Sequence, residues 1–212
     1  MTRPLVLGVL VSGSGTNLQA VIDAVATGRL RATIGVVLSN VATAKALDRA
    51  RAAGITTVVV DHKAHASRAS FDAAVVDVLR GNDVSCVVLA GFMRLVTATL
   101  LDAFPQRVVN IHPSLLPAFP GVHAQAQALA YGVRVSGCTV HLVDAGTDTG
   151  PILAQAAVPV RDGDTEATLR DRILVEEHQL LPEVLQWLAD DRVTVVTDGG
   201  GRPRVRIGPP PR

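Results

Sequence analysis

One stretch near the amino terminus, LVLGVLVSGSGTNLQAVIDAV from Leu5 to Val25, decides the fold. Its aliphatic start predicts a strand at 5–11, and the apolar spacing of its second part predicts a helix at 17–26. Between them lies a turn of glycine and hydroxyl residues. A glycine-rich turn that enters a helix presents backbone N–H groups and the positive end of the helix dipole to an anion. The stretch therefore predicts an α/β unit that can hold a phosphate, but it does not identify the ligand.

The alternation of strands and helices continues along the chain. Further strands are predicted at 34–38, 56–60, 84–90 and 108–111, with helices at 42–53 and 67–80. Aliphatic strands joined by helices indicate a parallel sheet that is covered on both faces. Two longer runs at 136–144 and 152–160 predict an antiparallel pair, followed by a helix to 189 that Asp164 or Thr165 caps and that Pro182 bends or breaks. The fold class is therefore α/β: a doubly wound, mostly parallel Rossmann-like sheet extended by an antiparallel strand pair in the C-terminal half.

Composition narrows the class of function. The 212 residues carry 20 basic and 19 acidic side chains, and this balance argues against broad binding to nucleic acid or membranes. Cys86 and Cys138 each lie in an apolar run, which predicts two buried thiols rather than a disulfide or a metal pair. We expect a cytoplasmic protein, because so few cysteines fit a reducing compartment and no run approaches the roughly 20 apolar residues of a spanning helix.

The glycine loop lacks both common nucleotide fingerprints. Gly13 and Gly15 give G-x-G, but Leu18 occupies the third position of G-x-G-x-x-G, and no Gly-Lys-Ser/Thr follows. The segment after the second strand, 39–41, has no acidic residue to bind a ribose, which argues against an NAD-dependent oxidoreductase. From the loop alone, a phosphate site and a plain tight turn capped by Thr16 or Asn17 are equal alternatives.

The densest chemistry lies in NIHPSLLPAFPG, 110–121. Asn110 and His112 are two residues apart, so on a strand they project to the same side, at its carboxyl end. An Asn amide can stabilise a developing oxyanion, and a His can transfer protons near neutral pH. Three prolines fix the loop that follows. The pair therefore predicts a site, although a turn-capping Asn and a structural His remain the alternative.

A second polar loop, DAGTDTGP at 144–151, brings Asp144 and Asp148 between the two long strands. A carboxylate there could orient or charge His112, or relay a proton to it. An ordinary Asp/Gly turn is the alternative, and the sequence alone does not establish that Asp148 meets His112.

Together, SGSGTNLQA, LAGFMRL, NIHPSLLPAFPG, HLVDAGTDTGPI and EEH resemble the phosphoribosylglycinamide formyltransferases of the folate-dependent formyltransferase superfamily. The resemblance covers roughly residues 5 to 190 in the same order. It implies transfer of a formyl group from 10-formyltetrahydrofolate to the amine of glycinamide ribonucleotide, in purine biosynthesis, with no covalent enzyme intermediate and no metal. It also implies small-molecule partners only, without nucleic acid or membrane, and leaves the choice between monomer and homodimer open.

The resemblance assigns roles residue by residue. Asn110 and protonated His112 would stabilise the oxyanion, and Asp148 would hold His112 and assist proton movement. Glycinamide ribonucleotide would be bound by four residues: Gly15, Thr16, Asn17 and Glu177. The folate would be bound by eight: Arg68, Met93, Arg94, Leu95, Val96, Asn110, Asp144 and Asp148.

The resemblance also implies a division of the chain. We predict one formyltransferase domain over 1–190, with a phosphate-binding half at about 1–105 and a folate and catalytic half at about 106–190. A C-terminal strand or tail, expected as a loose hairpin or a mobile end, occupies 191–212. We also expect a cis peptide at Leu116–Pro117. One departure from the family pattern is visible, since Gln125 stands where a second histidine is familiar and only His123 remains.

Three other assignments stay open. Methionyl-tRNA formyltransferase shares the motif but has a longer chain with an added C-terminal domain. Formyltetrahydrofolate hydrolase also shares it, with an added N-terminal regulatory domain, whereas here the catalytic pattern starts at once. A non-catalytic nucleotide-binding module would explain the glycine loop but would leave Asn110, His112 and Asp148 without a role.

Overall fold

The computed structural model describes residues 4–197 and 201–211. Its main sheet has seven strands: β1 (Leu5–Val11), β2 (Ala32–Ser39), β3 (Thr57–Val59), β4 (Cys86–Leu89), β5 (Val108–His112), β6 (Val135–Leu142) and β7 (Ile152–Pro159). The helices are α1 (Thr16–Ala26), α2 (Lys45–Ala52), α3 (Arg68–Gly81), α4 (Ala98–Ala103), α5 (Ala124–Tyr131) and α6 (Glu166–Ala189). A second sheet pairs β8 (Val193–Val196) with β9 (Arg204–Ile207).

The main sheet has the order β3-β2-β1-β4-β5-β6-β7. The first five strands in this order are parallel, whereas β6 runs antiparallel to β5 and β7 antiparallel to β6. This arrangement confirms the predicted fold class. The chain moves outward from β1 to β3 and then returns to place β4 on the other side of β1. Such a reversal opens a crevice at the carboxyl ends of β1 and β4, where ligands bind in open α/β sheets.

Apolar side chains cover both faces of the sheet, as the aliphatic strands predict. Along β1, Val9 and Val11 belong to a buried cluster that includes residues of α1, α2 and α6. Leu10, which points to the opposite face, belongs to a second buried cluster with residues of α3 and α4. Cys86 and Cys138 are buried free thiols, as predicted, and burial raises the pKa of each to about 12. The sheet is therefore a stiff support for the loops at its carboxyl edge.

Helix starts agree with the predicted caps in two cases and differ in one. Ser67 caps α3 and Thr165 caps α6, each with a reciprocal capping box. The alternative in which Thr16 or Asn17 caps α1 is wrong: Gly15 is the N-cap, in the left-handed region at φ 72°, and no side chain caps the helix. The first-turn N–H groups of α1 therefore keep their hydrogen-bonding capacity for a ligand.

The remaining elements agree with the sequence predictions in part. The helix α6 continues through Pro182 to Ala189, so the proline does not break it. The short helices α4 and α5 were not predicted. The helix α5 lies between His123 and Gly132, which both have left-handed backbone conformations. The tail forms the antiparallel pair β8–β9, while residues 198–200 and 212 lie outside the described residues. Leu116–Pro117 is cis, as predicted. Among the helices in the described part of the chain, none has the length and apolar character needed to cross a membrane.

Candidate active site

The end of β5 and the loop after β6 bring the predicted catalytic residues together. Asn110 and His112 lie on β5, and Asp148 lies between β6 and β7. The Nδ1 atom of His112 is 3.3 Å from Oδ2 of Asp148. His112 is 4% exposed, so this pair is shielded from bulk water. The structure thus provides the contact between Asp148 and His112 that the sequence left open.

Both ring nitrogens of His112 face hydrogen-bond acceptors. Nε2 lies 2.9 Å from the carbonyl oxygen of Phe119, opposite the Nδ1 contact with Asp148. A carbonyl oxygen only accepts, so Nε2 carries a proton in this contact. Burial nevertheless lowers the pKa of His112 below its ordinary value, although the Phe119 carbonyl and the Asp148 charge act in the opposite direction. At neutral pH the ring therefore has one proton for two acceptors.

The backbone holds Asp148 in place. The N–H of Gly121 donates to Oδ2 of Asp148 at 2.7 Å, which ties the proline-rich loop to the loop between β6 and β7. Burial alone would raise the pKa of Asp148, but His141, the Gly121 N–H and the charge of His112 lower it overall. Asp148 itself has φ 54°, a left-handed conformation that its tertiary contacts maintain. The carboxylate is therefore ionised and fixed beside the ring.

A second histidine, His141, completes the cluster, and the sequence analysis did not assign it a role. His141 lies opposite Asn110 in the antiparallel register of β5 and β6. Its Nε2 is 3.1 Å from Nδ2 of Asn110 and 3.6 Å from Oδ1 of Asp148. Its Nδ1 is 2.9 Å from the Leu142 carbonyl oxygen, so the ring is held between this carbonyl, the Asn110 amide and the Asp148 carboxylate and can orient the amide. The sequence shows His141 seven residues before Asp148, but it does not show the register of β5 and β6 that places His141 opposite Asn110.

The glycine loop faces helix α6 across the crevice. Asn17, in the first turn of α1, donates from Nδ2 to Oε2 of Glu177 at 2.7 Å. Both side chains are buried, and Oδ1 of Asn17 has no partner among the described residues. Burial raises the pKa of Glu177 to about 7, although the Asn17 hydrogen bond opposes the shift. The structure thus brings Glu177 to the glycine loop that contains Gly15, Thr16 and Asn17.

Ser12 joins the glycine loop to the segment after β4. Its N–H donates to the carbonyl of Gly91 at 3.1 Å, and its hydroxyl donates to Asn40 at 2.6 Å. The same hydroxyl oxygen accepts from the N–H of Met93 at 2.9 Å. Loops that follow β1, β2 and β4 are therefore held together at one edge of the sheet. No pattern in the sequence indicates this role of Ser12.

The predicted folate segment presents apolar side chains to solvent. Met93 is 70% exposed and Leu95 is 54% exposed, while Val96 is half-buried. The guanidinium of Arg94 lies 5.1 Å from the ring centre of Phe71, and its buried Nε has no partner among the described residues. Exposed apolar side chains beside a cation with an unsatisfied donor are suited to a ligand that combines flat rings with a carboxylate.

Two further predicted folate residues, Arg68 and Asp144, lie at the start of α3 and in the loop after β6. Arg68 is the first residue of α3 and is exposed. Asp144 accepts from the N–H of Gly146 and the hydroxyl of Thr149, both within its own loop. Within the described residues, no group of three or more His, Cys, Asp or Glu side chains is placed to hold a metal ion.

Comparisons with known proteins show the family to which the chain belongs. The formyl transferase family model matches residues 6–185. Phosphoribosylglycinamide formyltransferase of Mycobacterium tuberculosis (strain H37Rv) is 47% identical over 92% of this chain and 90% of that protein. The crystal structure of glycinamide ribonucleotide transformylase 1 from Symbiobacterium toebii matches with a TM-score of 0.93 at 52% identity, over 99% of this chain and 96% of that one.

The human trifunctional purine biosynthetic protein adenosine-3 is 45% identical over 91% of this chain. The chain spans about a fifth of that protein's length, 19%. The match therefore concerns one part of a larger multifunctional protein, whereas the bacterial relatives match over nearly their whole length. On the family model and these relatives, the chain belongs to the formyl transferase family, among the phosphoribosylglycinamide formyltransferases.

Proposed function

We propose that this chain transfers the formyl group of 10-formyltetrahydrofolate to the amine of N1-(5-phospho-D-ribosyl)glycinamide, as a step of purine biosynthesis. The observation that carries the proposal is the contact at 3.3 Å between the buried His112 and Asp148, with Asn110 on the same strand as His112. These residues and the glycine loop, which is suited to a phosphate, lie at the carboxyl ends of the parallel strands β5 and β1, at the same edge of the sheet. The buried free thiols support a cytoplasmic location.

The ribonucleotide would span the crevice from the glycine loop toward His112. Its phosphate would accept from the uncapped N–H groups at the start of α1, where the loop carries no charged side chain. Its ribose hydroxyls would contact Glu177, which the Asn17 amide holds in place. The amine at the other end would then point toward the catalytic cluster.

The folate would occupy the edge formed by 93–96. Its rings would cover Met93 and Leu95, and Val96 would contribute to the same apolar surface. Arg94 and Arg68 supply cations for the carboxylates of the folate tail, and Asp144 would contribute through its loop. This placement brings the formyl carbon between the amine and His112.

The chemistry requires one change at His112. Its Nε2 is engaged by the Phe119 carbonyl, so neither ring nitrogen is free for a substrate. We infer that the bound substrates displace this contact and that Asp148 then favours the tautomer with its proton on Nδ1. The lone pair of Nε2 becomes available, which is consistent with a pKa below the ordinary value.

Transfer then proceeds in two steps. The amine nitrogen bonds to the formyl carbon, the carbonyl electron pair moves to oxygen, and the amine proton passes to Nε2 of His112. The amide of Asn110 and the newly protonated ring stabilise the oxyanion. In the second step the oxyanion re-forms the carbonyl, the bond to the folate nitrogen breaks, and His112 returns the proton to that nitrogen. Every proton that leaves the amine thus reaches tetrahydrofolate.

The test is an assay of tetrahydrofolate release with purified protein. Release that requires both 10-formyltetrahydrofolate and the ribonucleotide is expected. Release without the ribonucleotide would favour a hydrolase, and binding of the ribonucleotide without release would favour a non-catalytic module. Formylation of charged methionyl-tRNA in place of the ribonucleotide would contradict the assigned acceptor.

A further inference from the structure

Arg49 contacts the glycine loop, and neither the sequence analysis nor the proposed function assigns it a role. It lies on α2, one turn after Ala46, and is half-buried. Its Nε donates to the carbonyl oxygen of Ser14 at 2.9 Å, and its Nη1 donates to the side chain of Gln19 on α1 at 3.3 Å. The guanidinium therefore bridges the loop and the helix that the loop enters.

The loop is also fixed to α2 through its backbone. The N–H of Ala46 donates to the carbonyl of Gly13 at 3.1 Å. Gly15 packs so closely here that a Cβ on it would lie 2.5 Å from the Cβ of Ala46. Two successive loop carbonyls, those of Gly13 and Ser14, are thus directed at α2 and bonded there.

This arrangement determines where the loop N–H groups point. In a trans peptide the C=O and the N–H project in opposite directions. Because the carbonyls of Gly13 and Ser14 face α2, the N–H groups of Ser14 and Gly15 face away from α2. N–H groups that share one direction at a helix start form a concave site for an anion. Without Arg49, the Ser14 carbonyl would lose its charged partner, and the orientation of the Ser14–Gly15 peptide would be held less firmly.

The positive charge of Arg49 also favours an anion at the glycine loop. The loop residues 12–17 carry no charged side chain, so among the described residues Arg49 supplies a cation bonded directly to the loop. Its field reaches α6, since the pKa of His178 is lowered first by burial and then by the charge of Arg49. A doubly charged phosphate at the loop would feel this field at short range.

We propose that Arg49 is a positioning residue for the phosphate of the acceptor substrate: it orients the Ser14–Gly15 peptide and adds positive charge behind it. The proposal rests on the proposed function, because it takes the acceptor's phosphate to lie at this loop. It makes Arg49 a determinant of acceptor affinity and of the preference for a phosphorylated acceptor over an unphosphorylated one.

The experiment compares Arg49→Met and Arg49→Lys with Arg51→Met as the matched control. Arg51 is on the same helix but is exposed and paired with Asp48 at 2.9 Å. For Arg49→Met, the KM for the ribonucleotide should rise about 10- to 100-fold, as for the loss of one charge-assisted hydrogen bond. The turnover number and the KM for the folate should stay within about twofold, since Arg49 bonds to Ser14 and Gln19 and not to the catalytic residues. Arg49→Lys, which keeps the charge, should recover part of the loss, and Arg51→Met should match the wild type.

A second acceptor separates this role from a purely structural one. With glycinamide riboside, which lacks the phosphate, Arg49→Met and the wild type should show equal kcat/KM. An equal loss with both acceptors, or an unchanged KM for the ribonucleotide, would overturn the proposal. Calorimetric titration with ribose 5-phosphate, which needs no catalysis, should show the same weakening in Arg49→Met. A wild-type protein that binds ribose 5-phosphate but transfers no formyl group would refute the proposed function and not the role of Arg49.

Discussion

His112 is held between two hydrogen-bond acceptors. Its Nδ1 faces Asp148 at 3.3 Å and its Nε2 faces the Phe119 carbonyl at 2.9 Å. Asp148 in turn accepts from the N–H of Gly121 at 2.7 Å. These contacts fix the plane of the imidazole. In the proposed reaction the substrates displace the Phe119 carbonyl, and the position of the ring proton then depends on Asp148. We therefore expect the carboxylate of Asp148 to matter for turnover much more than for binding.

Asp148→Asn tests this expectation. The substitution keeps an oxygen for the Gly121 N–H but removes the charge that favours a proton on Nδ1 of His112. The turnover number should fall about 100- to 10,000-fold, the range for a lost general acid–base function, while both KM values change by a few fold. Steady-state kinetics measure the effect, with Asp162→Asn as the control because Asp162 is exposed and pairs with Arg134 at the surface. Undiminished turnover in Asp148→Asn would contradict the assigned role.

Glu177 gives a prediction about stability and pH. Burial raises its pKa in the folded protein to about 7 from 4.5, so the folded state favours the neutral acid. The stability that depends on a neutral Glu177 is fully present below pH 4.5 and is lost as the pH rises through about 7. In Glu177→Gln the side chain stays neutral and can still accept from Asn17. The free energy of unfolding of this variant at pH 8 should therefore exceed that of the wild type by up to about 3 kcal/mol.

Urea denaturation at pH 4.5 and pH 8 measures this difference. The two proteins should agree within about 0.5 kcal/mol at the lower pH and separate at the higher one. A constant difference at both pH values would mean that the ionisation of Glu177 does not affect folding.

The sequence indicated some of these residues much better than others. Asn110 and His112 share a strand, so their two-residue spacing was enough to predict that they face the same side. Asp148 lies on another loop, and only the resemblance paired it with His112. His141 was missed because its role depends on the register between β5 and β6, which sets it opposite Asn110. Pairing register is a property of the folded sheet and cannot be obtained from one strand alone.

At the scale of elements, the glycine loop and α2 act as one unit. Gly15 takes φ 72° and lies against the backbone of Ala46, so that a Cβ on Gly15 would be only 2.7 Å from the Ala46 Cα. The residue thus needs both the left-handed conformation and the absence of a side chain. Because the N-cap is a glycine without a side chain, the start of α1 also stays uncapped and open to a phosphate.

Gly15→Ala should therefore be costly in two ways. The left-handed conformation costs about 1–2 kcal/mol for alanine, and the overlap with Ala46 adds to it, so we expect about 3 kcal/mol or more of lost stability. Gly28→Ala is the matched control, because Gly28 has φ 74° but nothing within 4 Å of a Cβ, and should lose only about 1–2 kcal/mol. Chemical denaturation of both variants measures the difference. Equal losses would show that the contact with Ala46 is not tight in solution.

Elements were predictable where pattern and caps agreed. Ser67 correctly placed the start of α3, and of the two predicted caps of α6, Asp164 and Thr165, the structure has Thr165. The start of α1 was misplaced because a glycine N-cap offers no side chain that a sequence pattern can recognise. The helix α4 was missed because six residues are too short to establish a periodic pattern.

At the scale of the whole molecule, the fold joins residues that are distant in the sequence. Asn17 and Glu177 are 160 positions apart and form one buried hydrogen bond. The helices α1 and α6 pack against the same face of the sheet, through a shared buried cluster. The alternation of strands and helices predicted the layers. It did not predict which helix lies opposite the glycine loop, because that depends on the order of the strands in the sheet.

Because the proposed ribonucleotide site spans both ends of the chain, its occupation should stabilise the whole domain. A ligand at 100 times its dissociation constant adds about 2.7 kcal/mol to the free energy of unfolding. Ribonucleotide at this excess should raise the Tm by several degrees, whereas ribose at the same concentration should not. Differential scanning fluorimetry measures both. An unchanged Tm with saturating ribonucleotide would argue against a site between α1 and α6.

The most direct test follows the formyl carbon itself. The protein is mixed with 10-formyltetrahydrofolate labelled with ¹³C in the formyl group and with the ribonucleotide, and both the small molecules and the protein are analysed by mass spectrometry. We predict that the label appears on the ribonucleotide's amine, that the protein carries none at any time, and that His112→Ala binds both substrates but transfers no label. Label found as free formate, or transfer at the wild-type rate by His112→Ala, would contradict the central claim.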